Sequence, residues 1–84
     1  MFDLTVISPK KVVFEDVVKK VWLDGDDSEF EILSFHQHLL GVLGEGDIVI
    51  NDKTAIPIKR GVVKFFENKC LILIEEAGEV KAKT

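Results

Sequence analysis

The sequence predicts an all-β fold, a small two-sheet β-sandwich of about ten short strands, as a single domain over residues 1–84. Three observations predict it. Apolar residues recur with a period of two almost everywhere, the pattern of half-buried strands. β-Branched residues, which suit a pleated surface, are abundant. The glycines fall between the apolar runs, where turns are needed, and no window carries a helical apolar stripe over three turns.

Taken in order, Phe2, Leu4 and Val6 alternate with Asp3 and Thr5 and predict an N-terminal strand. Val17, Val21 and Leu23 share one face of a second run, with Val18 and Trp22 on the other. Phe30 and Ile32 alternate with Glu29 and Glu31, and Ser34 to Leu43 has room for a helical turn at most. Ile48 and Ile50 flank Val49. Thr54, Ile56 and Ile58 share a face, and Pro57 between the last two predicts an edge strand or a strand end, because proline cannot donate to a ladder. Val63 and Phe65 lead to the hairpin signal Glu67-Asn68-Lys69, and Cys70 to Ile74 forms the returning strand. Val17 with Val18, Trp22 with Leu23 and Leu71 with Ile72 put apolar residues on both faces. A sandwich strand needs only one apolar face. The surplus lies either under turns or on a docking surface.

Composition narrows the function. The chain is 46% hydrophobic and 31% charged, as a folded globular domain requires. A net charge of −4 repels phosphate backbones, which argues against nucleic acid, and Lys10-Lys11, Lys19-Lys20 and Lys59-Arg60 are too short to bind an anionic membrane. Cys70 has no second cysteine to pair with and reads as a buried, inert thiol in a reducing, intracellular setting. The N-terminus lacks a basic region followed by an apolar stretch, so no signal peptide is expected. No apolar run approaches the roughly 20 residues of a membrane span. Membrane contact is therefore expected only through partner proteins.

No catalytic or metal motif survives scrutiny. Asp24, Asp26 and Ser28 match the first, third and fifth positions of a calcium loop, but Glu29 stands where glycine is needed and Phe35 where the closing glutamate belongs. On a strand His36 and His38 would point the same way, yet zinc wants three or four ligands, so the pair reads as surface or interface. Ser34 and His36 lack a nucleophile elbow. The glycines of Gly41 to Gly46 lack the Lys-Ser/Thr of a phosphate loop. Neither cofactor nor metal is expected. One alternative binding class remains. Lys53, between two strands and beside Asp52, matches the dipeptide context of the modified lysine in lipoyl- and biotinyl-type carrier domains, which are sandwiches of similar length.

The order of features from Asp24 to Gly46 is more specific. Ser28-Glu29-Phe30-Glu31-Ile32-Leu33-Ser34-Phe35-His36-Gln37-His38-Leu39-Leu40 falls in register with a signature that reads roughly Gly-Glu-Phe-Gly-Ile-Leu-Pro-Gly-His-Ala-Pro-Leu-Leu. Before it come Ser8-Pro9, Val13-Phe14, Val18, Val21 and a turn glycine at Gly25. After it come Gly46, Gly61 and a closing hairpin from Asn68 to Ala77. From Phe2 to about Ala77 the chain resembles the N-terminal β-sandwich domain of the epsilon subunit of F-type ATP synthases. Ser28 and Glu31 replace glycines, Ser34-Phe35 replaces Pro-Gly, and His38 replaces a proline, so turn geometry there differs from the family's.

The resemblance implies a non-catalytic rotor subunit of the central stalk of a proton- or sodium-translocating ATP synthase. It would bind the gamma subunit and seat it on the c-ring, peripherally, on the cytoplasmic side of the inner (plasma) membrane. It places the gamma-facing positions on Ser8, His36 and Leu40 and the ring-facing loop on Asp27, Ser28 and Glu29. The family's C-terminal helical hairpin, which inhibits ATP hydrolysis and in some members binds ATP, is expected to be absent, because Glu79 to Thr84 is too short for two helices.

Overall fold

The computed structural model describes residues 1–24, 29–33 and 38–82. Among them are nine strands and no helix: β1 (Phe2–Ile7), β2 (Val12–Val18), β3 (Lys20–Asp24), β4 (Glu29–Leu33), β5 (Leu39–Leu43), β6 (Gly46–Ile50), β7 (Thr54–Phe66), β8 (Lys69–Glu76) and β9 (Lys81–Ala82). β7 is 13 residues long and belongs to both layers of the sandwich. Its first half pairs with β6 and, through Thr54 and Ala55, with β9. Its second half lies between β5 and β8. Sheet one therefore runs β2-β1-β8-β7-β5, and sheet two runs β4-β3-β6-β7-β9. The register against β8 slips between Ile58 and Arg60, leaving Lys59 as the extra residue. Such a bulge bends a strand and lets it pass from one sheet to the other.

Period-two alternation survives intact where one strand stays in one sheet. Phe2, Leu4 and Val6 of β1 and Cys70, Ile72 and Ile74 of β8 face the core, together with Val21, Leu23, Ile48, Ile56 and Val63 from the other strands. Phe2 and Phe65 meet edge to face, 5.4 Å between centroids and 74° between planes. This geometry adds about 0.5–1.5 kcal/mol beyond area burial. β1 and β8 are parallel, whereas every other pairing is antiparallel.

Three expectations change. The run from Val17 to Leu23 is two strands, not one. β2 ends at Val18 in sheet one, β3 begins at Lys20 in sheet two, and the alternation slips at Lys19, so Val18 is buried and Val17 exposed. The side chain of Asn51 holds this corner: its Oδ1 accepts hydrogen bonds from the Lys19 N–H (2.8 Å) and the Lys20 N–H (3.1 Å). Leu39 to Leu43 is a strand rather than a helical turn, because β7 offers it a ladder. Pro57 ends nothing. The Pro57 carbonyl accepts from the Ala77 N–H at 3.1 Å, on the side away from β6. In a strand the N and O of one residue point to the same side, so the missing N–H falls in the gap between β9 and β8, where it costs no ladder bond.

The hairpin signal at Glu67-Asn68 is accurate. Both residues have positive φ, 49° and 59°, as a two-residue type I′ turn between Phe66 and Lys69 requires. Asn51 and Asp52 use the same region in the β6–β7 turn.

Two variants test these joints. Asn51→Ala removes the one oxygen that accepts from two backbone N–H groups and places alanine at positive φ, and it should lower stability by about 1–3 kcal/mol. At Gly61 an added Cβ would lie 2.6 Å from the backbone oxygen of Leu73, which cannot swing aside. Gly61→Ala should cost about 1–3 kcal/mol by overpacking. Urea unfolding midpoints measure both, and unchanged midpoints would contradict this account.

Candidate docking surface

Register decides which apolar residues point outward. In sheet one, residues opposite one another share a face. Val42 lies opposite Val62, Val62 opposite Leu73, and Leu73 opposite Ile7. These four form an apolar row across β5, β7, β8 and β1 on the face away from the core. The next row holds Leu40, Lys64, Leu71, Thr5 and Glu15, and the third holds Phe66, Lys69, Asp3 and Val17. Leu40 is 79% exposed, Val42 59% and Leu73 45%. Contiguous exposure of this kind marks an interaction surface rather than scattered surface leucines. At one end, Ile7, Pro9, Val42, Val62 and Leu73 line a shallow, mainly apolar groove of about 580 Å³. The Arg60 Nε–Glu75 Oε2 ion pair, 2.6 Å and exposed on both sides, borders it.

Two of the residues expected to face gamma belong to this surface. Leu40 stands on β5 beside Val42, and Ser8 lines the groove. Ser8 itself is only 6% exposed. Its N–H donates to the Lys11 carbonyl at 2.9 Å, and its hydroxyl oxygen accepts from the N–H groups of Lys10 and Lys11 at 3.3 Å each. Ser8 thus builds the β1–β2 turn that presents Pro9, and any docking contact there falls to its neighbours. His36, Asp27 and Ser28 lie outside the described residues. Glu29 is exposed at the start of edge strand β4, opposite Asp24, in the other sheet. The sequence missed Ile7, Val42, Val62 and Leu73 as a group. The surplus at Leu71-Ile72 was their signal, but only register shows that Leu71 and Leu73 point out.

The remaining candidates take structural places. His38 packs its ring on Phe66, 4.4 Å between centroids, and its Nε2 accepts from the Glu67 N–H at 3.4 Å. Among the described residues no group of three or more His, Cys, Asp or Glu is arranged to hold a metal. Lys53 is an exposed residue of the β6–β7 turn, its N–H donating to the Ile50 carbonyl at 2.9 Å. Cys70 faces the core, and burial pushes its thiol up to about 12. Because the folded-state value lies above that of a free thiol, protonated Cys70 favours the folded chain at neutral pH. That contribution is lost as pH rises from about 9 toward about 12.

Residues 1–80 match the family described as "ATP synthase, Delta/Epsilon chain, beta-sandwich domain". The chain belongs to this family. Relatives named ATP synthase epsilon chain include those of Sulfurovum sp. (strain NBC37-1), 35% identical over 81 residues, and Aquifex aeolicus (strain VF5), 34% identical over 82. The matches take in 92% and 95% of this chain but 63% and 62% of the relatives, so the chain spans under two thirds of their length. The same fold occurs in the Tetrahymena thermophila mitochondrial ATP synthase central stalk/c-ring structure. There the TM-score is 0.73 at 17% identity, covering 88% of this chain and 63% of the other. It also occurs in the Euglena gracilis mitochondrial OSCP/F1/c-ring structure, at 0.75 and 15%, covering 94% and 51%. Membership in an ATP synthase family leaves the carrier reading of Lys53 without support.

Cys70 supplies a test of the packing beneath this surface. A thiol reagent should leave it unmodified in the folded chain at pH 8 and modify it at the rate of unfolding. Rapid labelling without unfolding would contradict the buried position.

Proposed function

We propose that the chain is a non-catalytic rotor subunit of an ATP synthase central stalk. The outer face of sheet one docks on the gamma subunit, and Asp27, Ser28 and Glu29 face the c-ring. The observation that carries this reading is the apolar row Ile7–Leu73–Val62–Val42, flanked by two positions that the family resemblance assigns to gamma, Ser8 and Leu40. Burying such a row against a partner supplies the affinity. Acidic residues, Asp27 and Glu29 with Ser28, facing the ring would set register by charge complementarity. His36 belongs to the gamma side in the same scheme. A packed sandwich deforms little, which suits a part that transmits torque. The protein would then sit peripherally on the cytoplasmic side of the inner (plasma) membrane, held there by its partners.

Val62→Asp and Leu73→Asp should each weaken binding to a cognate gamma subunit by at least about tenfold, since each buries an unpaired charge. Lys53→Gln, on the β6–β7 turn, should leave binding unchanged. Titration calorimetry with purified gamma measures all three. Wild-type affinity in both aspartate variants would overturn the assignment of this face.

A further inference from the structure

The outer face of sheet one carries its charges in a divided pattern. Asp3 on β1 and Glu15 on β2 occupy one half, and Lys64 on β7 and Lys69 on β8 the other. Among the described residues the ion pairs are Lys20–Asp52 and Arg60–Glu75, so none of these four is committed elsewhere by a salt bridge. A face divided in this way is complementary to itself. Let a second copy be laid on it by a twofold axis parallel to the strands and running between β1 and β8. Each residue of β1 then faces the β8 residue of its own row, and each residue of β2 faces that of β7. Asp3 lies over Lys69 and Glu15 over Lys64. Ile7 lies over Leu73 and Val17 over Phe66, so apolar groups also meet apolar groups.

We propose that the free chain forms an isologous dimer through this face, with Glu15 of one copy paired to Lys64 of the other. Two-fold symmetry repeats every contact, so four charge pairs form from two kinds of neighbour. The match pairs apolar groups as well as charges over β2, β1, β8 and β7, while β5, with Leu40 and Val42, extends past β2 of the second copy and stays uncovered. The molecule measures 29 × 25 × 24 Å, and a whole face offers on the order of 600 Å² in projection. That is below the ~800 Å² per partner of a standard interface. The dimer is therefore a weak one, sensitive to salt and concentration. The inference concerns the chain before it meets any other subunit, and it stands apart from the stalk reading.

Sedimentation equilibrium at low ionic strength, up to about 1 mM protein, tests the pairing through charge reversal. Glu15 and Lys64 are both exposed, so the variants should keep the fold, which circular dichroism and a cooperative melt verify. The wild type should show a monomer–dimer equilibrium. Glu15→Lys and Lys64→Glu should each weaken it by at least about tenfold, through like charges brought face to face. The double variant should regain wild-type association, because the swapped pair is again complementary. A wild type monomeric at the highest concentration would overturn the proposal. So would single reversals without effect, or a double variant no stronger than the singles. Rescue by the double swap is peculiar to self-pairing, so the result is independent of how the face binds gamma.

Discussion

Everything in this fold depends on β7 serving two sheets. A strand of 13 residues leaves one layer at its bulge and enters the other, and five of the nine strands are β7 itself or pair directly with it. The core residues Ile56 and Ile58 from its first half and Val63 and Phe65 from its second face the same interior from opposite layers. Displacing one layer relative to the other would therefore require breaking a continuous ladder as well as unpacking the core. That constraint also sets the outer face. Once Val63 and Phe65 are committed inward, Val62, Lys64 and Phe66 can only point out.

The all-β class was legible because period two survives any tertiary arrangement of strands. The places where sequence reading failed are the places where a strand changes sheet or meets an unusual neighbour. At Lys19 the alternation slips because the chain turns a corner, and a single phase fitted across Val17 to Leu23 cannot represent that. At Pro57 a local rule about missing donors met a strand whose next neighbour on that side had not yet begun. At Leu39 to Leu43 the preference of the segment was weaker than the ladder offered by β7, as tertiary context commonly overrides local propensity.

The candidate surface was legible only in part. Leu40 and Ser8 were named through the family resemblance, and the structure brings both to one face, though it assigns the Ser8 side chain to a turn. Ile7, Val42, Val62 and Leu73 come from four strands distant in sequence, and nothing local distinguishes them from core residues. Hydrophobicity identifies a residue that avoids water. It does not say whether the shelter is the chain's own interior or another protein.

The parallel pairing of β1 with β8 joins the first strand to one that begins 67 residues later, Asp3 to Lys69 at its start. Closing so long a loop is slow compared with forming hairpins. During synthesis the β1–β2 hairpin can form early, but it has no sheet to enter until β7 and β8 have both left the ribosome. The inner faces of Phe2, Leu4 and Val6 must wait uncovered for that interval. Nearly the whole domain thus has to be synthesised before any of it is protected, and folding is completed at the seam between the earliest and the latest strands of the sandwich.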